Sequence, residues 1–294
     1  MRCHEMTDYS AQFEHETTQP RKRRRYHAGR VLLVIIVLAL LLFSLVLLVH
    51  KLTGGRFANV LLSPNINHQK LKGGRAENEG VPEELLTLLE SNPETYDFVM
   101  NYDAARIPLA EIDISGDVID GKVPLFLQWD ERWGYDDYGS GMLATTGCGP
   151  TCLSMVAVSL TGDLTLNPLA VADFAAENGY YATGSGTAWT LMTDGAAKLG
   201  LSSRVLPLHE PTILSELRAG NPIICSVGSG DFTTDGHYIV LTGVNPDGTI
   251  SVNDPNSVIR STGWAFNDFM NQIKNLWVFS KESISVSIGS APQR

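Results

Sequence analysis

Residues 31–49 form a run of nineteen uncharged residues, broken only by the small side chains Ala39 and Ser44. Backbone in hydrocarbon has no water to bond, so such a run crosses a bilayer only as a helix whose backbone bonds are all internal. At 1.5 Å per residue it extends about 28 Å, close to the hydrocarbon thickness. Arg21, Lys22, Arg23, Arg24, Arg25 and Arg30 crowd its N-terminal side, whereas residues 51–70 hold only Lys51, Arg56 and Lys70 as basic residues. The positive-inside rule then puts residues 1–30 in the cytoplasm and everything after residue 50 outside it. A cleaved signal peptide would have a shorter apolar core and a prompt small-x-small site. The expectation is a single transmembrane signal anchor over residues 31–50, with membrane lipid as a partner.

That anchor divides the charge. Residues 1–30 carry seven basic and four acidic side chains, a net of +3. Residues 51–294 carry fifteen basic and twenty-eight acidic, a net of −13. The basic run is a topology signal and a contact for anionic lipid. A region at −13 repels phosphate backbones, so no nucleic-acid partner is expected. His-x-x-x-His and Cys-x-x-Cys spacings are both absent, and no glycine-rich strand-to-helix loop suggests a nucleotide. No metal and no cofactor are expected. Of the four cysteines, Cys3 lies far from the others, and pairing Cys148 with Cys152 would consume the residue of greatest chemical interest, so no disulfide is assigned.

The chemistry concentrates in Gly147-Cys148-Gly149-Pro150-Thr151, answered later by Gly236-His237-Tyr238 and Asn253-Asp254-Pro255. Residues 151–160 read as an apolar helix closed by Thr161-Gly162. Pro150 suits its first turn, where the N–H it lacks would have had no helical partner. Cys148 therefore stands at the positive end of a helix dipole, where thiolate is favoured. Cys152 and Cys225 sit in apolar segments and read as inert core thiols. Residues 238–244 and 249–252 flank the turn Asn245-Pro246-Asp247-Gly248 and read as a hairpin. A turn centred between Pro246 and Asp247 pairs residues whose numbers sum to 493, so His237 would face Asn256. Asp254 would then lie diagonally on the same face, about 7–8 Å away between Cα atoms, with its carboxylate in reach of the imidazole Nδ1.

These segments resemble the bacteriocin-processing cysteine peptidases, and particularly their standalone branch without transporter domains. The resemblance runs from about residue 123 to 279. It includes Gln128-Trp129-Asp130-Glu131-Arg132-Trp133-Gly134, Gly186-Thr187-Ala188-Trp189, the Gly236-His237 strand and Asn253-Asp254-Pro255. It implies a papain-like fold with Cys148 as nucleophile, His237 as base, Asp254 orienting the imidazole and Gln128 helping to bind the oxyanion. The transporter-linked members hold their glutamine a few residues before the cysteine, whereas Gln128 precedes Cys148 by twenty. Trp129, Trp133 and Trp189 read as core or cleft-wall aromatics.

The chain organises accordingly. Residues 1–30 read as a disordered basic tail, residues 51–121 as a stalk and helical lead segment, residues 122–284 as the peptidase domain and residues 285–294 as a tail. Within the lead, residues 82–90 form an acidic-start amphipathic helix and residues 92–99 a second short one, both expected to pack on the domain. Asn167 caps a helix from Pro168 to about Asn178, and residues 189–199 and 211–219 are further helices. Helices come mainly before strands, which suits an α+β fold and not βαβ alternation. The function expected is an extracytoplasmic cysteine peptidase acting on a peptide or cell-wall peptide. A peptidoglycan-directed amidase and a non-catalytic adhesion module on the same fold are the alternatives.

Overall fold

The computed structural model describes residues 80–281, except residues 105 and 185. The anchor expected over residues 31–50, and the basic tail, stalk and C-terminal tail expected beside it, lie outside the described residues. Among the described residues, no helix is long and apolar enough to cross a membrane.

The lead segment opens with α1 (Glu83–Ser91), which buries Leu85, Leu88 and Leu89 along one face, the i, i+3, i+4 spacing of an amphipathic helix. Asn92 then accepts from the Glu94 N–H and caps the 3₁₀ turn Pro93–Thr95. Helix α2 (Tyr96–Met100) follows and buries Phe98 and Val99. These apolar faces cluster with Met142 and Ala144 of the domain. Phe98 stacks on Tyr135 with ring centroids 4.2 Å apart and planes 8° from parallel. The Glu84 carboxylate accepts from the Met142 N–H and the Thr145 hydroxyl, each at 3.1 Å.

The domain begins with a short hairpin of β1 (Asp137–Tyr138) and β2 (Gly141–Met142). It leads into α3 (Leu143–Thr146) and the central helix α4 (Cys148–Thr161). Gly162 closes α4 at φ +74°, a left-handed conformation that favours glycine. Most of α4 is buried on every side, as expected of a helix without a polar stripe. Helix α5 (Pro168–Glu177) lies against it, with Asn167 accepting from the Ala170 N–H as its cap. A second small hairpin, β3 (Tyr181–Ala182) with β4 (Gly186–Thr187), precedes the 3₁₀ turn Trp189–Met192 and α6 (Asp194–Lys198). The sequence suggests one helix over 189–199. Thr193 instead breaks it at φ −117°, ψ −79°, and the Met192 carbonyl accepts from the Ser203 hydroxyl at 2.7 Å.

The remaining elements are β5 (Leu201–Val205), α7 (Glu210–Arg218), β6 (Ile223–Gly228), β7 (Gly236–Val244), β8 (Ile250–Asn253), β9 (Gly263–Trp264), α8 (Phe266–Phe269) and β10 (Ile273–Lys281). The strands build one antiparallel sheet in the order β5-β10-β6-β7-β8-β9. In β7, Tyr238 and Val240 enter the core that holds α4, while Ile239 and Leu241 enter a second core holding residues of α7 and α8. A strand buried on both faces reads as a continuous apolar run, which is why residues 238–241 show no alternation.

The β7–β8 hairpin bears on the site directly. Leu241 pairs with Val252 and Val240 with Asn253, the register expected from the turn, but an irregularity at Thr242 shifts the turn-proximal pairs by one. Gly248 completes the turn at φ +87°. Beyond Asn253 the ladder stops and Asp254 turns back to bridge Ser257. His237 therefore does not face Asn256. The Asn256 carbonyl instead accepts from Trp129 Nε1 at 3.2 Å, because the chain folds away before the pairing can extend that far.

Phe98→Ala should lower the unfolding free energy of the whole domain by about 3 kcal/mol, the usual cost of emptying a buried phenylalanine site. Urea denaturation followed through tryptophan fluorescence measures it. A loss confined to the far-ultraviolet signal of the lead helices would show that they fold separately.

Candidate active site

Cys148 is the first residue of α4 and is partly exposed. Its neighbours must be small. A Cβ on Gly147 would lie 2.5 Å from the Leu143 carbonyl oxygen, and one on Gly149 would lie 2.5 Å from Thr187 Oγ1. The glycines thus let the helix start pass between α3 and β4. Tyr138 and Tyr238 bind Thr187 from two sides, through Oγ1 and the carbonyl oxygen respectively, each at 3.0 Å. Burial pushes the Tyr138 phenol up to about 12, so it remains a neutral hydrogen-bonding group.

His237 stands at the start of β7, opposite Val227 of β6, and is 7% exposed. Its Nε2 donates to Asp254 Oδ1 at 2.7 Å. Asp254 does not use the other ring nitrogen, Nδ1, and Cys148 lines the same cleft as the ring and helps to raise the imidazole's pKa. The register expected from the turn would bring the carboxylate to Nδ1 instead. The opposite nitrogen is used because Asp254 reaches the ring from the turn beyond β8 and not from a strand position.

Asp254 is wholly buried, 0% exposed. Its Oδ1 accepts from His237 and from the Asn256 N–H at 2.8 Å, and its Oδ2 accepts from Arg260 Nε at 2.6 Å. Burial alone would raise the carboxyl's pKa, but the charges and hydrogen bonds of His237 and Arg260 outweigh it and hold the group below its ordinary value. The imidazole behaves reciprocally. Burial pulls its pKa down, and Asp254 with Cys148 more than reverses that, leaving it raised.

Gln128 is 3% exposed. Its backbone N–H donates to the Pro255 carbonyl at 2.7 Å, and its Nε2 donates to the Ala144 carbonyl at 2.6 Å. It is thereby tied to the segment carrying Asp254 and to α3, just ahead of Cys148. Its Oε1 is buried with no hydrogen-bond partner. The residue does not line the cleft in front of Cys148. Cys152 and Cys225 are fully buried and burial raises both thiols, which keeps them protonated. No group of three or more His, Cys, Asp or Glu among the described residues could hold a metal ion.

The cleft has a volume of about 660 Å³ and is lined by Cys148, His237, Tyr181, Thr187, Trp189 and Asp235 among others. Trp189 presents an indole that is 50% exposed, whereas Trp133 is buried in the core. Arg260 was not legible in the sequence. A lone arginine six residues after an aspartate, in a loop of ordinary composition, carries no pattern that marks it.

The pH dependence of stability follows from these two shifts. A raised imidazole stabilises the fold fully below its unfolded value of 6.5, and that contribution is lost as pH rises through the folded value, about 10. A lowered carboxyl stabilises above its unfolded value of 3.8 and is lost as pH falls. The stability gap between wild type and Asp254→Asn should therefore be widest between pH 3.8 and 6.5 and narrow on both sides. Urea unfolding across the pH range tests this, and a flat gap would refute it.

No protein of curated function matches the sequence. Among solved structures, the chain is similar to the peptidase domain of Streptococcus ComA, a bi-functional ABC transporter involved in quorum sensing. Identity is 22%, over 47% of this chain and 93% of that one, with a TM-score of 0.38. It is also similar to a double glycine motif protease from an AMS/PCAT transporter, solved with its leader peptide, at 16% identity over 55% of this chain and 94% of that one, with a TM-score of 0.31. The model of the Peptidase_C39 like family matches residues 121–283, more than half of the chain and all of the segments that carry Cys148, His237 and Asp254. The chain belongs to the Peptidase_C39 like family.

Proposed function

We propose that this protein is a membrane-anchored cysteine peptidase with a papain-like catalytic domain on the extracytoplasmic side, hydrolysing peptide bonds through Cys148, His237 and Asp254. One arrangement supports the reading above all others. A partly exposed cysteine at a helix start shares one cleft with an imidazole whose Nε2 donates to a buried carboxylate. Family membership supports a peptide as substrate. The anchor and its orientation are supported by the uncharged run at residues 31–49 and the basic cluster ahead of it.

The chemistry follows from that pair. Asp254 favours imidazolium, and imidazolium beside the helix N-terminus favours the Cys148 thiolate. The thiolate attacks the carbonyl carbon and its electron pair forms the C–S bond, while the carbonyl π electrons move onto oxygen. The Cys148 N–H, first in its helix, is one of the N-terminal donors that a helix can aim at that oxyanion. Collapse of the intermediate breaks the C–N bond, and His237 passes its proton to the departing amine. Neutral His237 then takes a proton from water, whose oxygen attacks the thioester and releases the acid and the thiolate.

Cys148→Ala and His237→Ala should each abolish hydrolysis of a fluorogenic peptide library by the full chain. Gln128→Ala should lower stability and slow hydrolysis only through the segments that Gln128 ties together at Pro255 and Ala144. Cys152→Ser and Cys225→Ser should keep the chemistry and lose only stability. Hydrolysis that survives Cys148→Ala would overturn the peptidase reading. Iodoacetamide labelling of Cys148 no faster than that of Cys152 would do the same.

For the topology, protease shaving of intact cells should digest a C-terminal tag and spare an N-terminal one. A soluble secreted form beginning near residue 52 would remove the anchor.

A further inference from the structure

The charge that orients His237 is itself held from outside the family domain. Glu94 lies in the 3₁₀ turn Pro93–Thr95 of the lead segment, ahead of residue 121 where the family match begins. Its Oε2 accepts from the consecutive backbone N–H groups of Val258 and Ile259, at 2.8 and 3.2 Å. Its Oε1 accepts from the Ser257 hydroxyl. Two successive N–H groups converging on one carboxylate oxygen form an anion-binding nest. The same short turn is knotted to Asp254. Ser257 Oγ accepts from the Arg260 N–H at 3.0 Å, and Arg260 Nε reaches Asp254 Oδ2 at 2.6 Å. A second tie runs beside it, because Asn92, which caps the turn of Glu94, donates through Nδ2 to the Asn256 carbonyl.

Apolar packing does not hold this turn. Val258 and Ile259 are 51% and 46% exposed, so the segment lacks a buried side chain to fix its path between Ser257 and Arg260. Its geometry depends on polar bonds, and Glu94 supplies three of them. We infer that Glu94 is a positioning residue for the triad, acting through the 257–260 turn and Arg260 to hold Asp254 in the rotamer that serves His237.

The inference rests on the triad reading above, and its consequence is specific. Asp254 is faced by His237 from β7, by Arg260 from its own turn and by the Cys152 thiol from α4. With Arg260 occupying Oδ2, Oδ1 is left to the imidazole. Release of the turn lets Arg260 and the carboxylate rotate together, and imidazolium loses its partner in part of the population. Imidazolium then forms less readily and the Cys148 thiolate with it. A carboxylate that merely glued the lead segment to the domain would change stability and leave both protonation equilibria in place.

The test needs no substrate. Glu94→Ala and Glu94→Gln are made in the full chain, and three quantities are measured below the melting temperature. These are the His237 titration by NMR, the pH profile of Cys148 alkylation by iodoacetamide, and the thermal midpoint. Glu94→Ala should move the His237 midpoint down toward its ordinary value of 6.5. It should also slow alkylation at neutral pH about tenfold, the scale of one lost hydrogen bond to a charged group. Glu94→Gln should lose less, since its amide oxygen can still accept both N–H groups. It also keeps the proposal readable if the alanine variant does not fold. A lowered thermal midpoint with an unchanged His237 titration and alkylation profile in either folded variant would overturn the proposal. Wild-type Cys148 alkylating no faster than Cys152 would instead sink the triad reading, and the proposal with it.

Discussion

Taking an ionised carboxylate out of water costs several kcal/mol unless other charges and hydrogen bonds replace the lost hydration. Asp254 has no exposure at all, and three donors replace its water: the His237 ring, the Arg260 guanidinium and the Asn256 amide. Each donor is held by a different feature. His237 is fixed by the β6–β7 ladder, Asn256 by the turn itself, and Arg260 by bonds that reach back to the lead segment. Removing any one would leave a buried charge partly unmet, so the segments that converge here must converge together.

The helix start is subject to a steric constraint of comparable strength. A partly exposed cysteine beside a buried imidazole requires α4 to begin within a crowded junction of α3, β4 and β7. Gly147 and Gly149 allow that because neither carries a Cβ to meet Leu143 or Thr187. The tyrosines that bind Thr187 brace the same junction, and burial keeps their hydroxyls neutral.

Residues 80–102 extend this domain beyond the boundary that the family match draws. Their helices are too short to persist alone in water and take their stability from apolar contacts with Met142, Ala144 and Tyr135. Glu84 and Glu94 then bind segments adjoining Cys148 and Asp254 respectively. The lead segment thus lies against both halves of the site.

Much of this was legible in the linear sequence, for local reasons. Helix starts at Cys148 and Pro168, the left-handed closure at Gly162 and the turn at Gly248 depend on one to four neighbouring residues, so composition and spacing reveal them. The order of cysteine, histidine and aspartate, with the flanking glycines, singled out Cys148, His237 and Asp254, and His237 and Asp254 do meet. Other features depend on residues far apart in the chain, and only the tertiary structure decided them. The hairpin register held for Leu241 and Val240 but failed before Asn256, because the turn after Asp254 is bound by Arg260, Ser261 and the distant Glu94. Which imidazole nitrogen meets the carboxylate followed from that turn. Arg260 and Glu94 were invisible for the same reason: a single charged residue in a loop acquires its role from the groups that folding brings against it.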